Sequence, residues 1–271
     1  MPSSGSLSEA PTRSALLRKA ADTLARAEAS RAPIAPLSRS IADLTTGEAY
    51  AIADLRAARR RSPLVGYKLG YTSAAMREQM GIDHPNYGRL FAASVTRRGW
   101  LRSGQLIHPR VEPEIALLLG RDLKGPEVSR AEAWGAVQAV MPSLEIVDTR
   151  YVSYEFTAPD NIADNSSAAR VVLGTPVPAD AAPDLCAVSV ELSCDGVVVG
   201  TGLGRDAMGD PIRALAWLAN ALAAIGAGLR AGDIVMTGGL TRAHPAAPGA
   251  RFSASFGGLG EVAAQFSEIA P

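Results

Sequence analysis

Beyond Pro63 the chain is written in short strand-like runs separated by turn residues, and this texture constrains the fold more than any other feature. LVGYKLG (64–70), RVEPEIALLLG (110–120), SLEIVD (143–148) and stretches near 233–237, 251–256 and 261–267 have the length and aliphatic content of strands. A hairpin is signalled at 188–202, where residues alternate on both sides of Asp195-Gly196, a turn-forming pair. Helical patterns are fewer: a short helix through Met80, a second over Ala131–Val140, and a third over Ala214–Leu229. Residues 149–165 read as a polar loop without a period. Strands do not alternate with helices, so a βαβ array is excluded and an α+β fold with a β-rich core is expected.

The first 62 residues differ. Residues 1–12 are Ser/Pro-rich and expected to be mobile. From Arg13 to Arg31 apolar residues recur at Leu16, Leu17, Ala20, Leu24 and Ala27, the spacing of an amphipathic helix that Pro33 and Pro36 end. A second helix is expected from Thr46, as cap, through Arg60, with Glu48 in its first turn. The chain thus divides into a helical N-terminal region, 1–62, and a β-rich domain, 63–271.

Twenty-seven basic residues balance 27 acidic ones, so the basic surplus typical of nucleic-acid binders is missing. Arg59-Arg60-Arg61 reads as cations at a helix end. Hydrophobic residues make up 47% of the chain, enough for a sizeable core. The apolar stretch Ala214–Leu229 is shorter than the ~20 residues that span a bilayer, and MPSSGSLSEAPTR has no apolar signal core. A soluble, cytoplasmic protein with neither nucleic-acid nor membrane partner is expected. Cys186 and Cys194 read as inert core thiols in one strand region.

The chemistry concentrates in carboxylates. Glu112 and Glu114, two apart on a strand, project from one face at the mouth of the apolar run IALLL, and Glu145 sits inside a second apolar strand. Converging carboxylates beside apolar surface are costly to desolvate, and a hard divalent cation relieves that cost. The alternative is a solvated edge strand, on which Pro113 would also be at ease. Lys68 has the same two readings, with Gly66 and Gly70 allowing close approach of a ligand. Asp148 is expected on the face opposite Glu145, either capping a turn or pairing with Arg150. TGG (237–239) and FGGLG (256–260) read as tight turns, the first lining a site. His84, His108 and His244 form no H-x-x-x-H pair, no G-x-S-x-G occurs, and DNSS (164–167) has no histidine partner, which excludes zincin and serine hydrolase chemistry.

VGYKLGYTS (65–73), HPRVEPEIALLLGRDL (108–123), LEIVDTRY (144–151), IADNSSAARVVLG (162–174) and GDIVMTGGLTRAHP (232–245) occur in an order that resembles the fumarylacetoacetate hydrolase superfamily. The match is with its branch of 2-oxopent-4-enoate hydratases and 4-oxalocrotonate decarboxylases, N-terminal helices included. The resemblance implies a β-rich mixed roll, with Mg²⁺ or Mn²⁺ held by Glu112, Glu114 and Glu145. It also implies Lys68 and Asn86 as catalytic residues, Ser166, Thr237 and Gly238 at the substrate, and a small 2-oxo acid of aromatic meta-cleavage degradation as that substrate. A homo-oligomer associated with a pathway hydratase or decarboxylase is implied as well.

One departure bears on the reaction. Hydratases of the branch carry aspartate in a P-D-(Y/F)-G motif, whereas this chain has Pro85-Asn86-Tyr87-Gly88. Asparagine orients water but is no base at pH 7. The sequence therefore places decarboxylation of 4-oxalocrotonate first and hydration of 2-hydroxypenta-2,4-dienoate second. A C–C hydrolase of the superfamily needs a His–Glu pair that is not evident, and the intact lysine and glutamates argue against a non-catalytic partner.

Overall fold

The computed structural model describes residues 12–268; the expectation for residues 1–11 lies outside them. Two helices come first, α1 (Arg13–Ser30) and α2 (Thr46–Ala57), followed by strand β1 (Leu64–Gly70), α3 (Ala74–Met80) and β2 (Asn86–Phe91). The short β3 (Val95–Thr96) and β4 (Trp100–Arg102) precede β5 (Arg110–Leu119), α4 (Arg130–Ala136) and β6 (Val137–Val147). Next come α5 (Ala158–Ala163), β7 (Ala168–Leu173), β8 (Val177–Pro178), β9 (Ser189–Cys194) and β10 (Val197–Leu203). Helix α6 (Pro211–Ala223) leads to β11 (Ile234–Met236), β12 (His244–Pro245), β13 (Arg251–Phe256) and β14 (Gly260–Ser267).

Among the described residues these strands form two sheets. One has nine strands in the order β2-β1-β11-β5-β6-β7-β3, with β12 on β5 and β8 on β6; the other has five, β10-β9-β13-β14-β4. Strand alternation sorts the large sheet into two faces. Val111, Ile115, Leu117 and Leu119 of β5 share a face with Val140, Leu144 and Ile146 of β6. That face meets α6 and the inner side of the small sheet, including Phe252, Phe256 and Phe266, in the main core. Each such aliphatic side chain contributes roughly 1.5–3 kcal/mol by leaving water. The opposite face carries the polar residues described below.

Helices α1, α2 and α5 make a second cluster around Leu24, Ile52, Tyr151 and Ile162. Beneath it lies a buried ion network: Arg56 reaches Asp164 at 3.1 Å, and Arg150 bonds the same carboxylate. Removing one partner of such a group strands a buried charge, at a cost of about 3–5 kcal/mol.

Several sequence expectations are corrected. Thr45, not Thr46, caps α2, in a capping box with Glu48, and the helix ends at Ala57 before Arg60. The helix expected over Ala131–Val140 stops at Ala136, because Val137–Val140 join β6, the longest strand, where pairing with β5 outweighs local preference. The loop 149–165 contains α5, capped by Thr157 with Asp160 as reciprocal partner. The helix expected over Ala214–Leu229 begins at Pro211, behind the Asp210 cap, and ends at Ala223. Cys186 and Cys194 are half-buried and not core thiols, and only Cys194 lies on a strand. Burial first, then neighbouring aspartates, raises both thiol pKa values, which keeps them protonated. The Asp195-Gly196 hairpin and the FGGLG turn form as read. No helix among the described residues is long and apolar enough to cross a membrane.

Candidate metal centre and its lysine

Neither β1 nor β5 is an edge strand: β1 lies between β2 and β11, and β5 between β11 and β6. The solvated-edge readings of Lys68 and of Glu112 and Glu114 therefore fail. Register then gathers the polar residues. Glu112 faces Glu145 across β5 and β6, Glu114 faces Ser143, and Lys68 faces Gly88 on one side and Met236 on the other. Asn86 pairs with Gly70, so it points to the same side as Lys68.

Carboxylate oxygens of Glu112, Glu114 and Glu145 lie within 4.8 Å of one another. Glu114 and Glu145 are fully buried, and Glu112 is partly exposed. Glu114 Oε2 accepts the Gly238 N–H at 2.8 Å, while Oε1 has no partner; Glu145 Oε1 has none either. Glu145 Oε2 is answered by the Lys68 ammonium at 3.1 Å. Burial and then the Glu145 charge push the Glu112 carboxyl up to about 7, and the same causes hold Glu114 well above the carboxylate range. On Lys68, burial works to lower the pKa, but Glu145, Glu112 and Glu114 together outweigh it and keep the ammonium charged. Three carboxylates share one lysine, and two buried oxygens remain unsatisfied. That donor set fits a hard divalent cation, which all-oxygen ligands suit.

Lys68 is steered from the far side by an unusual turn. Asn165, Ser166 and Ser167 all have left-handed backbones, with φ of 56°, 53° and 56°. For residues other than glycine this costs roughly 1–2 kcal/mol each. Surrounding bonds hold it: Lys68 Nζ donates to the Ser166 carbonyl at 3.1 Å and approaches Ser166 Oγ at 3.3 Å. Ser166 Oγ donates to Asn86 Oδ1 at 3.0 Å, Asn86 Nδ2 to Asn161 Oδ1 at 2.9 Å, and Asn161 Nδ2 to Ser167 Oγ at 3.0 Å. The Asn165 side chain accepts from Arg89 N at 2.8 Å and donates to Arg89 O at 3.0 Å, pairing with β2 where that strand has no neighbour. Glycine makes room: a Cβ on Gly70 would lie 2.3 Å from Asn86 Oδ1 and 2.6 Å from Ser166 Oγ.

The remaining expected residues fall nearby in different ways. Gly238 supplies its N–H to Glu114, with φ of 109° that suits glycine. The Thr237 hydroxyl donates to the Ile115 carbonyl at 2.9 Å, so it braces β5. Asp148 takes the N–H groups of Ile107 and His108 at 2.9 and 2.8 Å, closing the turn before β5 and standing apart from the carboxylate cluster. Asn161, Ser167 and Tyr71 were not anticipated. The Tyr71 hydroxyl is buried without a partner, and burial first, then Asp160 and Glu112, raises its pKa. The one local signal was T-x-x-D at 157–160, which marks the start of α5 and thereby places Asn161.

Residues 76–267 match the fumarylacetoacetate (FAA) hydrolase C-terminal family. The chain is 39% identical over 264 residues to 2-keto-4-pentenoate hydratase 2 of Dechloromonas aromatica, covering 95% of this chain and 98% of that one. It is 35% identical over 262 residues to the TodF product hydratase of Pseudomonas putida, at 94% and 97% coverage. Among solved structures, 4-oxalocrotonate decarboxylase from Pseudomonas putida G7, complexed with magnesium and adipate, superposes with a TM-score of 0.90 at 33% identity, covering 95% and 99% of the two chains. The chain belongs to the fumarylacetoacetate hydrolase family and has its α+β roll, with N-terminal helices added.

Proposed function

We propose that this chain is a divalent-metal-dependent lyase that hydrates a short 2-hydroxy-2,4-dienoate, the enol form of 2-keto-4-pentenoate. The observation that carries the metal-dependent part is the pair of buried, partnerless carboxylate oxygens on Glu114 and Glu145, with Glu112 beside them. Hydration stands ahead of decarboxylation, reversing the order read from sequence, because the full-length curated relatives at 35–39% identity carry hydratase names.

Glu112, Glu114 and Glu145 would hold the ion, Mg²⁺ or Mn²⁺, both of which suit an all-oxygen donor set. When bound, the ion would supply Lewis-acid stabilisation of the negative charge that develops on a 2-oxo acid. Lys68 holds a proton at Nζ, aimed by the Ser166 carbonyl, next to the carboxylates that would hold the ion. Gly238 N–H fixes the orientation of Glu114. Asn86 is locked by Ser166 and Asn161, so its amide offers water a fixed hydrogen-bonding partner but no base.

That same amide favours a second reading. Loss of CO₂ from 4-oxalocrotonate needs an electron sink and controlled protonation but no carboxylate to activate water. The test follows both reactions separately in Mg²⁺: dienoate absorbance with 2-hydroxypenta-2,4-dienoate, and CO₂ release with 4-oxalocrotonate. Brisk loss of dienoate without CO₂ release supports hydration. Rapid CO₂ release with feeble hydration selects the decarboxylase. Asn86→Asp sharpens the contrast, since a new anion there at ~4 Å from a substrate's distal carboxylate would repel it by up to about 4 kcal/mol at an effective dielectric of ~20. Decarboxylation should fall several-fold in kcat/KM while hydration holds or rises.

A further inference from the structure

A cavity of about 360 Å³ opens between α1 and the turn region after β6, lined among others by Glu28, Arg31, Arg60, Asp148, Arg150 and Arg170. It is separate from the carboxylate cluster. Val171 pairs with Glu145, whereas Arg170 pairs with Ile146 and projects to the other face of the sheet. Its volume falls in the ~300–1,000 Å³ range of small-molecule sites.

Four guanidiniums meet two carboxylates here, and both carboxylates are already committed. Glu28 takes Arg60 at 2.6 and 2.7 Å and Arg56 at 3.0 Å. Asp148 takes the backbone N–H groups of Ile107 and His108. Arg150 is engaged by Asp164 and by the carbonyls of Asp148 and Ala168. Arg170 is different. It is largely withdrawn from water, yet it donates only to its neighbour's carbonyl, Ala169 O, at 2.8 Å and to Gln105 Oε1 at a long 3.5 Å. Among the described residues neither Arg170 nor Arg31 has an ion-pair partner. Burial, followed by repulsion from Arg60 and Arg150, lowers the Arg170 pKa against the pull of Glu28 and Asp148. A partly desolvated guanidinium whose nearby carboxylates, Glu28 and Asp148, are bonded to other groups is costly unless a further counter-charge is supplied.

We propose that this cavity binds a small oxyanion of two negative charges, with Arg170 and Arg31 as its principal donors and Arg60 assisting. Two charges match the excess of four guanidiniums over two carboxylates, and planar guanidinium forks suit phosphate or carboxylate oxygens. Bound there, the anion ties α1 to β7, because Arg31 follows α1 and Arg170 lies on β7. Inorganic phosphate and short dicarboxylates share this chemistry.

The test titrates the full chain calorimetrically with inorganic phosphate and, separately, with succinate, against sodium chloride of equal ionic strength. A saturable heat with either anion, accompanied by slowed amide exchange over residues 25–31, is the expected result, and the active arm identifies the source. Arg170→Gln and Arg31→Gln should each weaken binding by about tenfold or more, as loss of a charge-assisted bond implies. Arg31 is exposed, so its variant reports even if Arg170→Gln fails to fold. Glu114→Gln should leave the anion affinity unchanged, which separates this site from succinate seated at the carboxylate cluster. No saturable binding of either anion, or native affinity in the Arg31 and Arg170 variants, overturns the proposal.

Discussion

Replacing Glu114 by glutamine should make the metal-free protein more stable and the metal-loaded protein comparatively less so. Glu114 is fully buried, and its carboxylate lies within 4.8 Å of those of Glu112 and Glu145. At 4.8 Å and an effective dielectric of ~20, each ionised pair repels by about 3.5 kcal/mol. Lys68 offsets part of this, and burial and mutual repulsion raise the pKa values of Glu112 and Glu114, so that protons relieve another part. A net gain of about 1–2 kcal/mol in the variant is therefore expected, or ~2–8 °C in Tm for a chain of this length. Glutamine keeps an acceptor for the Gly238 N–H. Mg²⁺ acts in the other direction. At one hundred times its Kd it stabilises the native protein by about 2.7 kcal/mol, and a tenfold loss of affinity halves that gain. Differential scanning fluorimetry in EDTA and again in Mg²⁺, with calorimetric titration for affinity, reads both effects. A variant that melts lower in EDTA, or that gains as much from Mg²⁺ as the native protein, refutes the view that these carboxylates repel one another and share an ion.

Three further outcomes follow from particular contacts. Lys68→Met removes a cation 3.1 Å from Glu145, so Mg²⁺ affinity should hold or tighten while kcat falls by about 10²–10⁴-fold; near-native turnover in the loaded variant would remove the lysine from the chemistry. Gly70→Ala drives a Cβ into Asn86 Oδ1 and Ser166 Oγ and should cut kcat by about tenfold or more with Mg²⁺ affinity little changed, a split visible by pairing steady-state kinetics with calorimetry. Glu28 is held at about 2 in the folded state because Arg150, Arg60 and Arg56 outweigh its burial. A depressed carboxyl stabilises fully above its unfolded pKa, so this contribution, about 2 kcal/mol after screening at a one-third exposed side chain, is present above pH ~5 and fades between pH ~4.5 and ~2. Urea melts of Glu28→Gln should lack that part of the acid slope, and an unchanged slope would count against the ion network.

Much of the site was legible because strand geometry is local. Two glutamates two positions apart must share a face, whichever sheet they enter, and Glu112 and Glu114 do. The same logic failed at Val137–Val140, where a helix-like pattern lost to an eleven-residue strand paired along its whole length with β5. It was silent at 165–167, since three consecutive left-handed residues have no sequence signature without glycine. That turn persists only because Lys68, Asn86 and Arg89 bond to it from distant parts of the chain.

The chain's own order of residues determined which side chains could act together within a strand, where the hairpins turn, and that the carboxylates would need a counter-charge. Tertiary structure decided which strands lie side by side. It put β1 and β5 inside the sheet and not at its edge, so Lys68 and Glu114 lost their water and became a buried ion cluster. It also brought Arg170, from the middle of the sequence, to the same cavity as Arg31 and Arg60. The reason is physical: side-chain alternation is set by two dihedral angles per residue, but neighbours in a sheet are chosen by the burial of a whole face, to which every strand contributes at once.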